Sequence, residues 1–192
     1  VYAKNRDKKC DSYGKWENVA KPNLGREQGT YADYVVEHYD NLPEKIIFTP
    51  GSLQKHDRLN RFKTLLASPD ATCANTSTHP RTSTILDEER DFRIHYCNGN
   101  LTSNTVGTLS QWYNRFVGDF ESDRTHQTCF NGMLATTREN IHSHPVQYYQ
   151  DPADQVNVSS NSEVGHFMER SMGPIFAADL PCAYRGILTS GP

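Results

Sequence analysis

The chain has 192 residues, enough for one well-packed domain but not comfortably for two, so residues 1–192 are treated as a single domain. Hydrophobic residues make up 35% and charged residues 22%, and ten Tyr and eight Phe can still build a core, which argues against disorder. The formal net charge of −3 argues against a nucleic-acid partner. No apolar run reaches the roughly 20 residues that a membrane span needs.

Three glycosylation sequons and five cysteines indicate the compartment. The sequons begin at Asn75, Asn100 and Asn157, each in a polar stretch typical of a surface loop. No two cysteines form a C-x-x-C pair, which argues against a zinc ribbon or a thioredoxin motif. We therefore predict the secretory-pathway lumen or the cell exterior, with two disulfides and one odd cysteine. Cys73 and Cys97 flank one irregular region and are the first predicted pair.

In chain order, the first predicted elements are a short strand over residues 1–3, a helix, a second strand and a second helix. Apolar side chains at three- and four-residue steps predict a helix from Arg26, which ends before Pro43. Residues 46–49 form a continuous β-branched and aromatic run, typical of a buried strand in a parallel sheet. A second helix is predicted over residues 52–67. Its predicted inner face carries Leu53, His56, Leu59, Phe62, Leu65 and Leu66.

Further strands and helices alternate along the rest of the chain. Strands are predicted at 92–96 and 130–136, and helices after the capping-box spacings that begin at Thr108, Thr136 and Ser160. This order predicts an α/β fold: a three-layer parallel or mixed sheet with helices on both faces. In such sheets ligands bind beyond the carboxyl ends of the strands, where the turn at Asn131 and Gly132 would open.

The usual chemical motifs are absent from the sequence. There is no Walker loop, no G-x-G-x-x-G and no G-x-S-x-G pattern. Among the eight histidines, His142 and His144 form the tightest pair, but the adjacent Pro145 favours a solvated turn. We therefore predict no metal site.

Three blocks of the sequence resemble the domain-of-unknown-function family 3431. The first runs from Asn23 to Gly51 and contains N-L-G-R-E, Y-D-N-L-P and I-F-T-x-G. The second runs from Asn131 to Ile141, followed by Tyr148-Tyr149, and the third from Gly165 to Ser171, followed by Ile175-Phe176. Together they span most of residues 23–176 in the order of the family.

The resemblance implies a glycosyltransferase-like domain with a nucleotide-diphosphosugar transferase fold, of the glycosyltransferase-A type. Its first strand would precede Val1 and is absent from this chain. Transferases of that type commonly hold a divalent ion on a D-x-D pair, and the chain has none. The expectation is therefore sugar transfer without a cofactor, with Mn²⁺ or Mg²⁺ and a nucleotide sugar as the alternative. The implied partners are a nucleotide sugar and a glycan acceptor.

Candidate site residues follow from the chemistry of sugar transfer, which needs a general base and cations for the departing diphosphate. Glu169 and Arg170 can take these two roles, or can form a structural ion pair instead. A second group, predicted to bind substrate, lies at a helix start, where backbone N–H groups favour anions, although Glu27 also suits the helix dipole alone. This group comprises Asn23, Gly25, Arg26 and Glu27, with Asn131 and Gly132 added from the turn.

The same sequence features also fit a second function. The absent first strand, the absent D-x-D pair and the odd cysteine also fit a non-catalytic glycoprotein. Such a protein would serve as a structural component of an extracellular or particle-associated assembly, with other protein subunits as its partners. The retained blocks around Arg26 and Glu169 favour the enzyme, although packing alone would also preserve them.

Overall fold

The computed structural model describes residues 2–3, 19–55, 57–68, 72–73, 90–93, 101–120, 129 and 132–176. The described helices are α1 (Arg26–His38), α2 (Arg58–Ala67), α3 (Leu109–Phe116), α4 (Arg138–His142), α5 (Val146–Val156) and α6 (Glu163–Phe176). The described strands are β1 (Tyr2–Ala3), β2 (Val19–Ala20), β3 (Lys45–Phe48), β4 (Thr72–Cys73) and β5 (Leu134–Thr137). Among these residues, helices predominate.

The central sheet is small and antiparallel. Its strand order is β3-β5-β4, with Lys45 opposite Thr137 and Phe48 opposite Leu134, and both of its strand pairs are antiparallel. Among the described residues, parallel pairing is limited to the two-residue strands β1 and β2 and a single bridge. The predicted three-layer parallel or mixed sheet of the glycosyltransferase-A type is therefore wrong. A short apolar run such as β3 has the same composition in either direction, so local sequence could not fix its pairing.

Two clusters of apolar side chains pack against this sheet. On one face, Leu65 of α2 packs in a cluster with Met133, Ala135 and Ile47. On the other face, the main core lies under α1, α5 and α6, and Phe48 stacks 4.7 Å from Tyr31, measured between ring centroids. The alternation of strand residues between the two clusters follows from the two-residue repeat of a strand.

Local sequence signals gave several helix positions and missed others. Helix α1 begins at Arg26 as predicted, and Thr108 and Gln111 form the predicted capping box at the start of α3. Helix α2 begins at Arg58 and not at residue 52. Within the part of α2 described, Leu65 is buried, whereas two of the predicted inner residues, Leu59 and Leu66, are exposed.

Other predicted boundaries were wrong or lie outside the described residues. The helix predicted after Thr136 divides into α4 and α5, with Pro145 as the N-cap residue of α5. Strand β5 begins at Leu134, later than the predicted 130. Residues 92 and 93 lie outside any strand, and 94–96 lie outside the described residues. These errors sit at element ends, where local sequence constrains the chain least.

A disulfide joins Cys73 to Cys129, with the two Cα atoms 5.0 Å apart. It ties β4 to the segment that leads into β5, across a sequence separation of 56 residues. The prediction that Cys73 pairs with Cys97 was therefore wrong about the partner, and Cys97 lies outside the described residues. In the chain-entropy treatment, closing a loop of this length stabilises the fold by about 4 kcal/mol. None of the described helices is long and apolar enough to cross a membrane.

Candidate functional site

The start of α1 has an unusual backbone. Gly25 and Arg26 adopt positive φ angles of 63° and 52°, and a positive φ is uncommon for an arginine. Gly25 N–H donates to the Ser159 carbonyl at 2.9 Å, which ties this turn to the segment between α5 and α6. The N-cap residue of α1 is Gly25, which has no side chain to cap the helix. Of the other predicted residues here, Asn23 and Glu27 are exposed.

Two glycines of α1 let the neighbouring chain approach closely. The Asn157 side-chain oxygen lies so near Gly25 and Gly29 that a Cβ at either position would overlap it. The Asn157 amide nitrogen donates to Asp33 at 2.8 Å, so this side chain joins α1 to the end of α5. Asn157 as a glycan acceptor stays a prediction, as do Asn75 and Asn100, which lie outside the described residues.

Arg26 crosses from α1 to α6 and meets His166. The Arg26 Nη1 donates to the His166 ring, 2.9 Å from Nε2 and 3.3 Å from Nδ1. Because a guanidinium has only donors, the imidazole must accept and stay neutral on that side. Burial lowers the pKa of His166 to about 4, and the charges of Arg26 and Arg170 add to this effect. A Cβ at Gly165 would lie 3.3 Å from Arg26 Cδ, so the glycine makes room for this contact.

Glu169 lies one helical turn after His166 on α6 and is largely buried. Burial raises the pKa of its carboxyl, and the charge of Glu27 raises it further, whereas Arg170 and Arg26 lower it. Glu169 is therefore within electrostatic reach of the first turn of α1. The two candidate groups from the sequence, one around Arg26 and one around Glu169, form a single cluster of ionisable side chains where α1 meets α6.

Arg170 follows Glu169 on α6, and its charge lowers the pKa of the Glu169 carboxyl. Its guanidinium carbon lies 3.7 Å from the centroid of the Phe92 ring, a cation–π contact. Its Nη1 also donates to the His166 carbonyl at 3.1 Å. Arg170 therefore joins α6 to the Phe92 segment and adds positive potential around His166 and Glu169.

A tyrosine extends the cluster towards the chain before β5. The Tyr31 hydroxyl donates to the Gly132 carbonyl at 3.1 Å. Burial raises the pKa of Tyr31 well above its usual range, and the charges of Glu27 and Glu169 raise it further, whereas Arg58 lowers it. Gly132 has a positive φ of 65°, and its predicted companion Asn131 lies outside the described residues.

A buried carboxylate fixes the start of α6. Glu163 is 1% exposed and accepts from Arg93 Nε at 2.7 Å and Nη2 at 3.0 Å. It also accepts from the backbone and the side chain of Asn104, at 2.9 and 2.7 Å. Burial alone would raise the pKa of Glu163, but these hydrogen bonds outweigh it and hold the pKa below its usual range. This network positions α6 and hence His166 and Glu169.

The sequence interpretation missed three members of this region. His166 was part of a quoted family block, and Tyr31 shares a helix with Glu27, so helical spacing from the proposed residues could have found both. Arg58 gave no such local signal, since its proximity to Tyr31 is decided by how the helices pack. Within the described ranges, no group of three or more His, Cys, Asp and Glu side chains could hold a metal ion.

The comparisons with known proteins give a family and no function. A family described as "Protein of unknown function (DUF3431)" matches residues 2–184. No curated protein and no solved structure matches the chain. The family match spans nearly the whole of the 192 residues. The chain therefore belongs to the domain-of-unknown-function family DUF3431.

Proposed function

We propose that this protein transfers a sugar from a nucleotide-sugar donor to a hydroxyl acceptor, at the cluster formed by α1 and α6. The observation that carries the proposal is Glu169, a largely buried carboxyl with a raised pKa beside the charges of Arg26 and Arg170. A carboxylate whose pKa moves towards neutrality becomes a better general base. Cations beside it can stabilise an anionic leaving group.

In the proposed reaction Glu169 accepts the proton of the acceptor hydroxyl as that oxygen bonds to the anomeric carbon. The bond from the anomeric carbon to the donor phosphate breaks, and the nucleoside diphosphate leaves with the electron pair. Arg26 and the start of α1 neutralise its charge, since a helix N-terminus favours anions. Neutral His166 accepts from Arg26 at 2.9 Å and so orients the guanidinium. No divalent ion is required in this scheme.

Support for the proposal comes from these side chains and from the family resemblance, and not from the sheet. The small antiparallel sheet differs from the one expected for a glycosyltransferase-A fold. The disulfide between Cys73 and Cys129 supports an oxidising compartment, and with the three sequons it supports the secretory-pathway lumen or the cell exterior.

A thermal-shift panel of nucleotide sugars, with and without Mn²⁺, tests the proposal. At least one donor should raise the melting temperature of the wild-type protein without Mn²⁺. Glu169→Gln should keep that shift but lose turnover, whereas Arg26→Gln should lose the shift. Glu139→Gln, at an exposed position on α4, is the matched control and should change neither.

A flat response to every donor, with and without Mn²⁺, would refute sugar transfer. A defined multimer in native mass spectrometry, found together with that flat response, would favour the non-catalytic structural glycoprotein. Full turnover by Glu169→Gln would refute the assignment of the general base while leaving the reaction class in place.

A further inference from the structure

A buried side-chain carbonyl beside the proposed site is unsatisfied among the described residues. Gln28 lies on α1 directly after Glu27 and is only 4% exposed. Among the described residues, no hydrogen-bond donor reaches its side-chain oxygen. Buried polar atoms are nearly always hydrogen-bonded, because leaving one unsatisfied costs free energy. An acceptor kept in this state at a functional cluster calls for an explanation in terms of function.

The surroundings of Gln28 place it at the cluster. The Gln28 amide nitrogen lies 3.9 Å, and the Tyr31 ring 3.8 Å, from a Cβ built on Gly132. Tyr31, in turn, is within electrostatic reach of Glu27 and Glu169. The Gln28 side chain thus lies beside Gly132 and beside a tyrosine that senses the charge of the proposed base.

We propose that Gln28 is a specificity-determining residue whose side-chain oxygen accepts a hydrogen bond from an N–H or O–H group of the bound nucleotide sugar. Two parts of that ligand carry such donors: the edge of the base and the hydroxyls of the sugar. Both offer donors from which an amide oxygen can accept a hydrogen bond, whereas the phosphates offer only acceptors. This inference rests on the proposed function, since it names the group that the same site recognises.

The substitution Gln28→Met tests it, because methionine has a similar length and lacks the polar atoms. The variant should be at least as stable as the wild type without ligand, since it removes an unsatisfied acceptor. Its affinity for the nucleotide sugar, measured by calorimetry, should fall by about three- to tenfold. Gln147→Met, at an exposed position on α5, is the matched control and should leave affinity unchanged.

Partial ligands identify the donor group. If the base donates, Gln28→Met should also weaken binding of the nucleoside diphosphate alone; if the sugar donates, only the intact nucleotide sugar should bind more weakly. A less stable ligand-free variant overturns the inference, because the oxygen then has a structural partner. A wild type that binds no nucleotide sugar overturns the proposed function and this inference together. Equal affinity of both proteins for a bound donor overturns this inference alone.

Discussion

Replacing Gly29 by alanine should destabilise the protein through the contact between α1 and α5. Helix propensity alone predicts the opposite, since alanine in a helix interior is favoured over glycine by about 0.5–1 kcal/mol. A Cβ at this position, however, would overlap the Asn157 side-chain oxygen and lie 3.2 Å from Val156 Cγ1. The two effects have opposite signs, so the measured sign reports on the packing.

The size of the destabilisation follows from the side chains that must move when Gly29 is replaced. Asn157 has to rotate away and lose its 2.8 Å hydrogen bond to Asp33, which costs about 0.5–1.5 kcal/mol. The tight contact with Val156 adds an overpacking cost of about 1–3 kcal/mol. After subtracting the gain in helix propensity, we expect Gly29→Ala to lower the free energy of unfolding by about 1–3 kcal/mol.

Urea denaturation can isolate the clash between a Cβ at position 29 and the Asn157 side chain. It needs four proteins: the wild type, Gly29→Ala, Asn157→Ala and the double variant. In the Asn157→Ala background the overlap with Asn157 is gone and only the contact with Val156 remains. Gly29→Ala should therefore cost about 0.5–1.5 kcal/mol less than in the wild type, and this difference is the coupling energy between the two positions. Gly51→Ala is the matched control, because a Cβ there meets nothing within 4 Å. A Gly29→Ala protein as stable as the wild type, or equal losses in both backgrounds, would refute the packing argument.

Three further predictions concern charge and the disulfide. The pKa of Glu169 is raised in the folded protein, so the wild type loses stability as pH rises through that pKa. In urea titrations, Glu169→Gln should therefore be as stable as the wild type near pH 4 and more stable than it at pH 7. The pKa of His166 is lowered to about 4, so stability should fall as pH drops from about 6.5 towards 4, and His166→Asn should flatten that slope. Cys129→Ser should lower the free energy of unfolding by about 2–5 kcal/mol without reductant, and the loss should vanish in dithiothreitol. Unchanged pH profiles, or peptide maps that link Cys73 to Cys97, would contradict these three expectations.

Part of the candidate site could be predicted from local sequence. Arg26, Glu27 and Glu169 carry the residue types that acid–base and anion chemistry needs, and they stand on helices whose apolar spacing is visible. What could not be predicted is that these groups meet. Arg26 and His166 are separated by 140 positions, and their contact depends on how α1 packs against α6. Local sequence also does not indicate that Gln28 is buried with an oxygen that no donor among the described residues reaches.

The sequence by itself determined features that arise within a few residues: the start and the apolar face of α1, the capping box of α3 and the family blocks. These depend on backbone hydrogen bonds and side-chain spacing inside one turn, so a local pattern records them. Only the tertiary structure decided the antiparallel direction of β3 and β5, the pairing of Cys73 with Cys129 and the joining of two separate charged groups at one site. These features depend on which distant segments become neighbours, and that choice is made by the packing of the whole core.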